Sequence, residues 1–131
     1  MKIAADTNVL VRAVVRDDLQ QAALAARTLI KAELVVVGTS CLCEFAWVLR
    51  RVYGFRAPEI AATIRELLGA GNVEANRPAV EAGLAMLEAG GDFADGAIAY
   101  EGRWLGAETC VSFDAKAVEI LKAQGEAARL L

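Results

Sequence analysis

Histidine is absent from all 131 residues. Imidazole is the side chain whose ordinary pKa lies nearest neutral pH. Its absence excludes Ser-His-Asp and Cys-His nucleophilic schemes, and any ribonuclease built on a pair of imidazoles. Hydrolysis by this chain has to run on carboxylates, lysines or water activated by a metal ion. Cysteine is scarce as well. Cys41, Cys43 and Cys110 are an odd set, which makes no disulfide framework. Cys41 and Cys43 are separated by a single residue, closer than zinc-site spacing. Without histidine to complete a ligand set, no zinc centre is expected. The thiols are expected to be buried and inert.

Positive charge is also in short supply. Fourteen Lys and Arg face seventeen Asp and Glu, for a net charge of −3 and a pI near 5.0. Such a chain does not grip nucleic acid by bulk charge, although a metal that neutralised local acids would permit it. An acidic surface favours a basic partner. No apolar run approaches the ~20 residues of a membrane span. The N-terminus runs straight into a strand-like segment with no signal-peptide layout. A cytoplasmic location without membrane attachment is the expectation.

What is present is apolar. The composition is 56% hydrophobic and 24% charged, with mean hydropathy +0.39. The length suits a single domain over 1–131, and the apolar surplus suggests surface covered by another chain. Strand-like runs at 1–5, 34–37, 72–75 and 109–112 alternate with helical segments at 8–15, 18–32, 40–53, 58–68, 78–88, 92–105 and 115–123, and 128–131 reads as a last edge strand. Thr39 and Ser40 are placed to cap the third helix and Asp18 the second, whose inward face is read as Leu19, Ala22, Ala23, Ala26, Leu29 and Ile30. The alternation predicts a three-layer α/β/α sandwich around a mostly parallel central sheet. In such sheets ligands bind beyond the carboxyl ends of the strands.

Against this apolar background stand four acidic islands: Asp6, Glu44, Asp92 with Asp95, and Asp114. Each borders a segment that should build a core, where a carboxylate is costly unless paired, hydrogen-bonded or metal-bound. Several brought together repel one another unless a cation holds them. Asp6 and Asp114 directly follow strands, and Glu44 is the only charge between Cys41 and Leu49. Ser40 and Glu44 lie one turn apart on one helix face. Asp92 and Asp95 are spaced to form a helix cap, with Asp95 the favoured ligand and Asp92 either cap or second ligand. Ser112 is placed to orient a neighbouring carboxylate. All these acids are expected at one edge of the sheet. Arg12, Arg50, Arg51, Arg103 and Lys116 are candidates to flank the site and bind phosphates.

These islands resemble the PIN-domain family, and within it the VapC-type toxins of bacterial toxin–antitoxin pairs. The resemblance rests on Ile3-Ala4-Ala5-Asp6-Thr7-Asn8-Val9-Leu10 with Arg12, Asp17-Asp18 and Gln20 after it, and on Glu44-Phe45-Ala46-Trp47-Val48-Leu49 with Tyr53. Asp92-Phe93-Ala94-Asp95-Gly96-Ala97-Ile98-Ala99 and Ser112-Phe113-Asp114 complete it, so that it covers nearly the whole chain. Gly96 stands where the family usually has Ala, a slight weakening of the helix start, and Ser112 replaces a usual Thr. The resemblance implies an endoribonuclease dependent on one or two Mg2+ or Mn2+ ions. Asp6, Glu44, Asp95 and Asp114 would be the catalytic, metal-binding acids, with Asp92 beside them and Thr7, Asn8 and Ser112 in support. It further implies cleavage of RNA to 5′-phosphate and 3′-hydroxyl ends, dimerisation, and a VapB-type antitoxin as partner in a hetero-oligomer.

Other readings fit less well. A haloacid-dehalogenase-type phosphatase needs a second Asp two positions after the first, where Asn8 stands. A receiver domain needs an early acid pair after strand one, whereas Asp17-Asp18 follows a helix. A PIN nuclease in RNA processing, or a module that binds RNA or a partner without cutting, are the alternatives to a toxin.

Overall fold

In the computed structural model, which describes residues 1–131, single strands alternate with one or two helices. The elements are β1 (Lys2–Ala4), α1 (Thr7–Val15), α2 (Leu19–Lys31), β2 (Leu34–Val36), α3 (Thr39–Arg51), α4 (Ala57–Leu68), β3 (Val73–Glu74), α5 (Arg77–Glu88), α6 (Phe93–Trp104), β4 (Cys110–Ser112), α7 (Ala115–Ala123) and β5 (Ala128–Leu130). The protein is mixed α/β, and every strand pairing is parallel. No helix is long and apolar enough to cross a membrane.

The strand ladder differs from the expected single sheet. It falls into a three-stranded sheet, β1-β2-β3, and a two-stranded sheet, β4-β5. The strands are only two or three residues long, so each ladder carries few hydrogen bonds and the helices supply most of the core. The chain divides into two compact units, Met1–Asn76 and Arg77–Leu131.

In the N-terminal unit Ile3 pairs with Val35, and Val35 with Val73. Because β1 and β2 are parallel, the segments leading to Asp6 and to α3 leave the same edge. On α3 the buried residues are Leu42, Phe45, Ala46 and Leu49, the i, i+3, i+4, i+7 stripe of an amphipathic helix. Glu44 and Trp47 fall on its outer side and are exposed. Ile60 and Ile64 of α4 complete this core.

The inward face of α2 is narrower than its leucines suggest. Ala22 and Ala25 are buried, whereas Leu19 is 72% and Ile30 79% exposed. Helix α2 packs against α1, with Leu29 half-buried and Leu19 and Ile30 left outside. Asp18 caps α2 as expected, its Oδ1 accepting from the Gln21 N–H at 3.0 Å. Neither Thr39 nor Ser40 caps α3. That position is Gly38, with no side-chain bond, because α3 begins one residue before the expected cap has ended.

In the C-terminal unit α5 and α6 pack against each other, and Met86, Ala99, Ile120 and Leu121 cluster with Cys110 and Ala128 against them. The edge strand expected at the C-terminus is β5, paired with β4 through Val111 and Arg129.

Candidate functional site

The β1–α1 turn is held by short-range bonds that also aim Asp6. Asp6 is the N-cap of α1, and its Oδ1 accepts from the Thr7 N–H at 2.8 Å. One carboxylate oxygen is thereby fixed, and the exposed side chain keeps its other oxygen for a ligand. Thr7 is the buried polar residue of the chain, 6% exposed. Its hydroxyl donates to Cys41 Sγ at 3.6 Å, and that thiol donates to the Ala5 carbonyl at 3.6 Å. Cys41 thus fastens the turn to α3, one helical turn from Glu44. Thr7 supports Asp6 through its backbone and leaves its hydroxyl to the thiol.

Asp6 and Glu44 line one hollow of about 260 Å³, together with Thr7, Asn8, Val11, Arg12, Val48 and Tyr53. The Cys41 thiol reports their proximity: burial raises its pKa, and the charges of Asp6 and Glu44 raise it further, against a lowering by the Thr7 bond. A thiolate is disfavoured there. All three cysteines are half-buried thiols outside any disulfide, so the expected full burial does not hold, while at Cys41 the expected inertness has a physical cause.

The C-terminal unit carries the other acids. Asp95 lies in the first turn of α6, and burial raises its pKa, with Asp92 and then Asp114 adding charge repulsion. Asp114 follows β4 and caps α7, its Oδ1 accepting from the Ala117 N–H at 3.0 Å. Ser112 Oγ accepts from the Asp114 N–H at 2.9 Å. Ser112 therefore sets the backbone turn rather than a carboxylate, as a hydroxyl two residues before an amide commonly does.

Asp92 does not act as the expected cap. It occupies the N-cap position of α6 without a side-chain capping bond. The Asp95 N–H that would donate to its carboxylate donates instead to Asp92's own carbonyl at 3.1 Å. The Asp92 carboxylate is exposed and bears on Asp95 only through charge.

Burial of the acids is the main departure from expectation. Asp6, Glu44, Asp92 and Asp114 are exposed, and only Asp95 is half-buried. They sit at element ends, where the chain leaves the core. Within neither unit do three His, Cys, Asp or Glu side chains gather closely enough to hold a metal ion. Each unit instead brings its own acids together: Asp6 with Glu44 on one hollow, and Asp92 and Asp114 around Asp95.

The basic residues divide as well. Arg103 bonds Glu126 at 3.1 Å and lies 6.0 Å from the Tyr100 ring centre, a structural engagement. Arg50 and Arg51 end α3, where they complement its dipole. Only Arg12 lines the hollow of Asp6 and Glu44. Sequence reasoning missed the role of Cys41, whose sole signal was its place one turn before Glu44.

Capping and ligation can be separated at Asp114. Asp114→Ala is expected to lower stability by about 1 kcal/mol through the lost cap, and Asp114→Asn by much less, because Asn caps equally well. Urea denaturation measures both, and equal losses in the two variants contradict the capping account.

No protein-family model matches the chain, and no curated protein matches it at a significant level.

Proposed function

We propose that the protein is a divalent-metal-dependent endoribonuclease of PIN type, the toxin of a VapC-like pair. The observation that carries this reading is the company its acids keep. Asp6 and Glu44 face one hollow at the edge where β1 and β2 end, and Asp95 is pushed toward its neutral form by burial, Asp92 and Asp114. The repulsion that Asp92 and Asp114 exert on Asp95 is a cost that a divalent cation removes.

The donor set suits a hard ion. It is oxygen-only, with no histidine in the chain, and Mg2+ or Mn2+ prefers such ligands. Asp6, Glu44, Asp95 and Asp114 are the proposed ligands, one or two ions being held, with Asp92 adjacent. A bound ion lowers the pKa of water and offsets charge on a phosphodiester. The chain's own residues do the rest. Thr7 fixes one oxygen of Asp6, Ser112 fixes the turn that presents Asp114, and Asn8 lines the hollow.

The reading includes a PIN-like α/β/α sandwich and an RNA substrate taken as a single strand, whose splayed bases suit a cleft poor in basic groups. It includes a VapB-type antitoxin and self-association as well. Exposed Trp47, Val52, Trp104 and Leu105 are apolar surface of the kind such partners cover.

The test is incubation of a mixed RNA pool with the protein in Mg2+, in Mn2+ and in EDTA, followed by mapping of the cut ends. Cleavage in either metal, none in EDTA, and 5′-phosphate with 3′-hydroxyl ends are expected. Cutting that persists in EDTA, or no cutting of any RNA, rejects the metal-dependent nuclease.

A further inference from the structure

We infer that Arg12 is the residue that receives an RNA backbone phosphate, and that Asp17 and Tyr53 position it. The inference rests on the nuclease reading for the identity of the anion. Its geometry is independent. Arg12 Nη1 donates to Asp17 Oδ1 at 2.8 Å, and the Tyr53 hydroxyl donates to Asp17 Oδ2 at 3.2 Å. One carboxylate is thus held from both sides, by residues of α1 and of the segment after α3.

An ordinary surface ion pair is worth about 0–1 kcal/mol and fixes little. This pair differs in how it is made. Arg16 is the one non-glycine residue with positive φ, 60°. That left-handed residue ends α1 and turns the chain so that Asp17 returns to Arg12. Asp18, next along, caps α2. A strained residue is retained where its surroundings require it, and here it serves both the Arg12 contact and the start of α2. The contacts from Arg12 and Tyr53 also outweigh burial, which alone raises the Asp17 pKa, and leave its carboxyl below the usual value.

The guanidinium is left with capacity. It carries five N–H donors, and Asp17 engages it through Nη1. Its side chain is 37% exposed, and it lines the hollow of Asp6 and Glu44. Arg12 and Asn8 also line the larger groove of about 520 Å³ between α1 and α2. Arg12 therefore borders both the acid-lined hollow and a groove whose lining includes Val9, Leu24 and Ala25, so a phosphate held at Arg12 would lie beside the acids. Asp6, Glu44 and Asp17 outnumber this one cation. Phosphate binding at Arg12 is accordingly expected only when a divalent ion offsets the acids.

The experiment uses the full chain and a fluorescent single-stranded RNA oligonucleotide. Anisotropy is read across a salt series in Ca2+ and in EDTA, with the RNA checked intact afterwards, and kcat and KM for cleavage are measured separately in Mg2+. Arg12→Ala is expected to weaken Ca2+-dependent binding about tenfold and to flatten the plot of log K against log salt by about 0.7, one phosphate contact on a single strand. KM rises and kcat is retained, since a flanking phosphate is bound equally before and during reaction. Arg12→Lys restores the slope but only part of the affinity.

The decisive variant is Asp17→Asn. It removes a negative charge, so bulk electrostatics predicts tighter RNA binding. Positioning predicts weaker binding, by about threefold or more, with Tyr53→Phe in the same direction at unchanged net charge. Tighter binding in Asp17→Asn overturns the positioning role, and an unchanged slope in Arg12→Ala overturns the phosphate contact. If the wild type binds RNA but cuts none, the nuclease reading fails, and the Arg12 assignment stands only where the variants shift binding as described. If it cuts RNA and these variants behave as wild type, the assignment fails alone. Wild type that binds no RNA at all rejects the assignment. Thermal melts check that the substitutions at half-buried Arg12 and Tyr53 and at exposed Asp17 leave the fold intact.

Discussion

Asp95→Asn should abolish RNA cleavage, by about 10³-fold or more, and at the same time stabilise the metal-free protein at neutral pH. The two effects have one origin. Burial, Asp92 and Asp114 together raise the Asp95 pKa above the ordinary 3.8. The native state therefore holds a proton more tightly than the unfolded chain does. Stability falls as pH rises from the ordinary value through the raised one, and stays lower above it. Asn carries no charge to desolvate or repel, so the variant should lose that part of the pH dependence and melt higher in EDTA at pH 7.

Metal reverses the order. A divalent ion that binds only the native state stabilises it by about 2.7 kcal/mol at a hundredfold excess over its Kd. The wild type should show that gain, and Asp95→Asn most of its loss. Differential scanning fluorimetry at pH 7 and near pH 4, in EDTA and in Mg2+, reads all four conditions. A variant that still cuts RNA at the wild-type rate removes Asp95 from the site. A variant less stable than wild type in EDTA contradicts the account of its pKa.

Much of this architecture was legible because the relevant signals are local. Alternating strand and helix segments follow from hydrophobic period and from breakers such as Gly69-Ala70-Gly71 and Gly90-Gly91. The Asp18 and Asp114 caps follow from side chains that reach backbone amides three residues on. The illegible parts depend on what lies across the contact. Hydropathy ranks Leu19 and Ile30 above Ala22 and Ala25, yet the alanines are buried and the larger side chains exposed, since which face turns inward is set by the neighbouring elements. Asp92 has a capping residue's identity and place but no capping bond, because the Asp95 amide is already engaged. At the candidate site the acids were legible by type. Their grouping around Cys41 and Asp95 was not, since it depends on contacts as distant in sequence as Thr7 with Cys41.

Gly96 shows how far such contacts can invert an expectation. An alanine at this helical position should gain about 1 kcal/mol by propensity alone, and the PIN resemblance also favours Ala. The structure predicts the opposite: Gly96→Ala should cost about 3 kcal/mol or more, or prevent folding of the C-terminal unit. A Cβ at Gly96 collides with the Ala82 carbonyl oxygen and comes within 2.8 Å of Met86 Cβ. Both belong to α5, and one is backbone, so no rotamer change relieves the clash and α6 must move away. Overpacking against movable side chains costs about 1–3 kcal/mol, and a fixed carbonyl places this site at the upper end. Gly83 is the milder case, where the added methyl meets the Phe93 ring at 2.6 Å. Gly102, on the same helix, is the control: its Cβ would meet only Ala107 Cβ at 3.8 Å, so Gly102→Ala should stabilise by about 0.5–1 kcal/mol. Urea denaturation of Gly96→Ala and Gly102→Ala therefore gives opposite signs for the same chemical change in one helix. Equal or greater stability in Gly96→Ala contradicts the packing of α5 on α6. A displaced α6 also carries Asp95 with it, so RNA cleavage and the Mg2+-induced rise in melting temperature should fall even at temperatures where the variant remains folded.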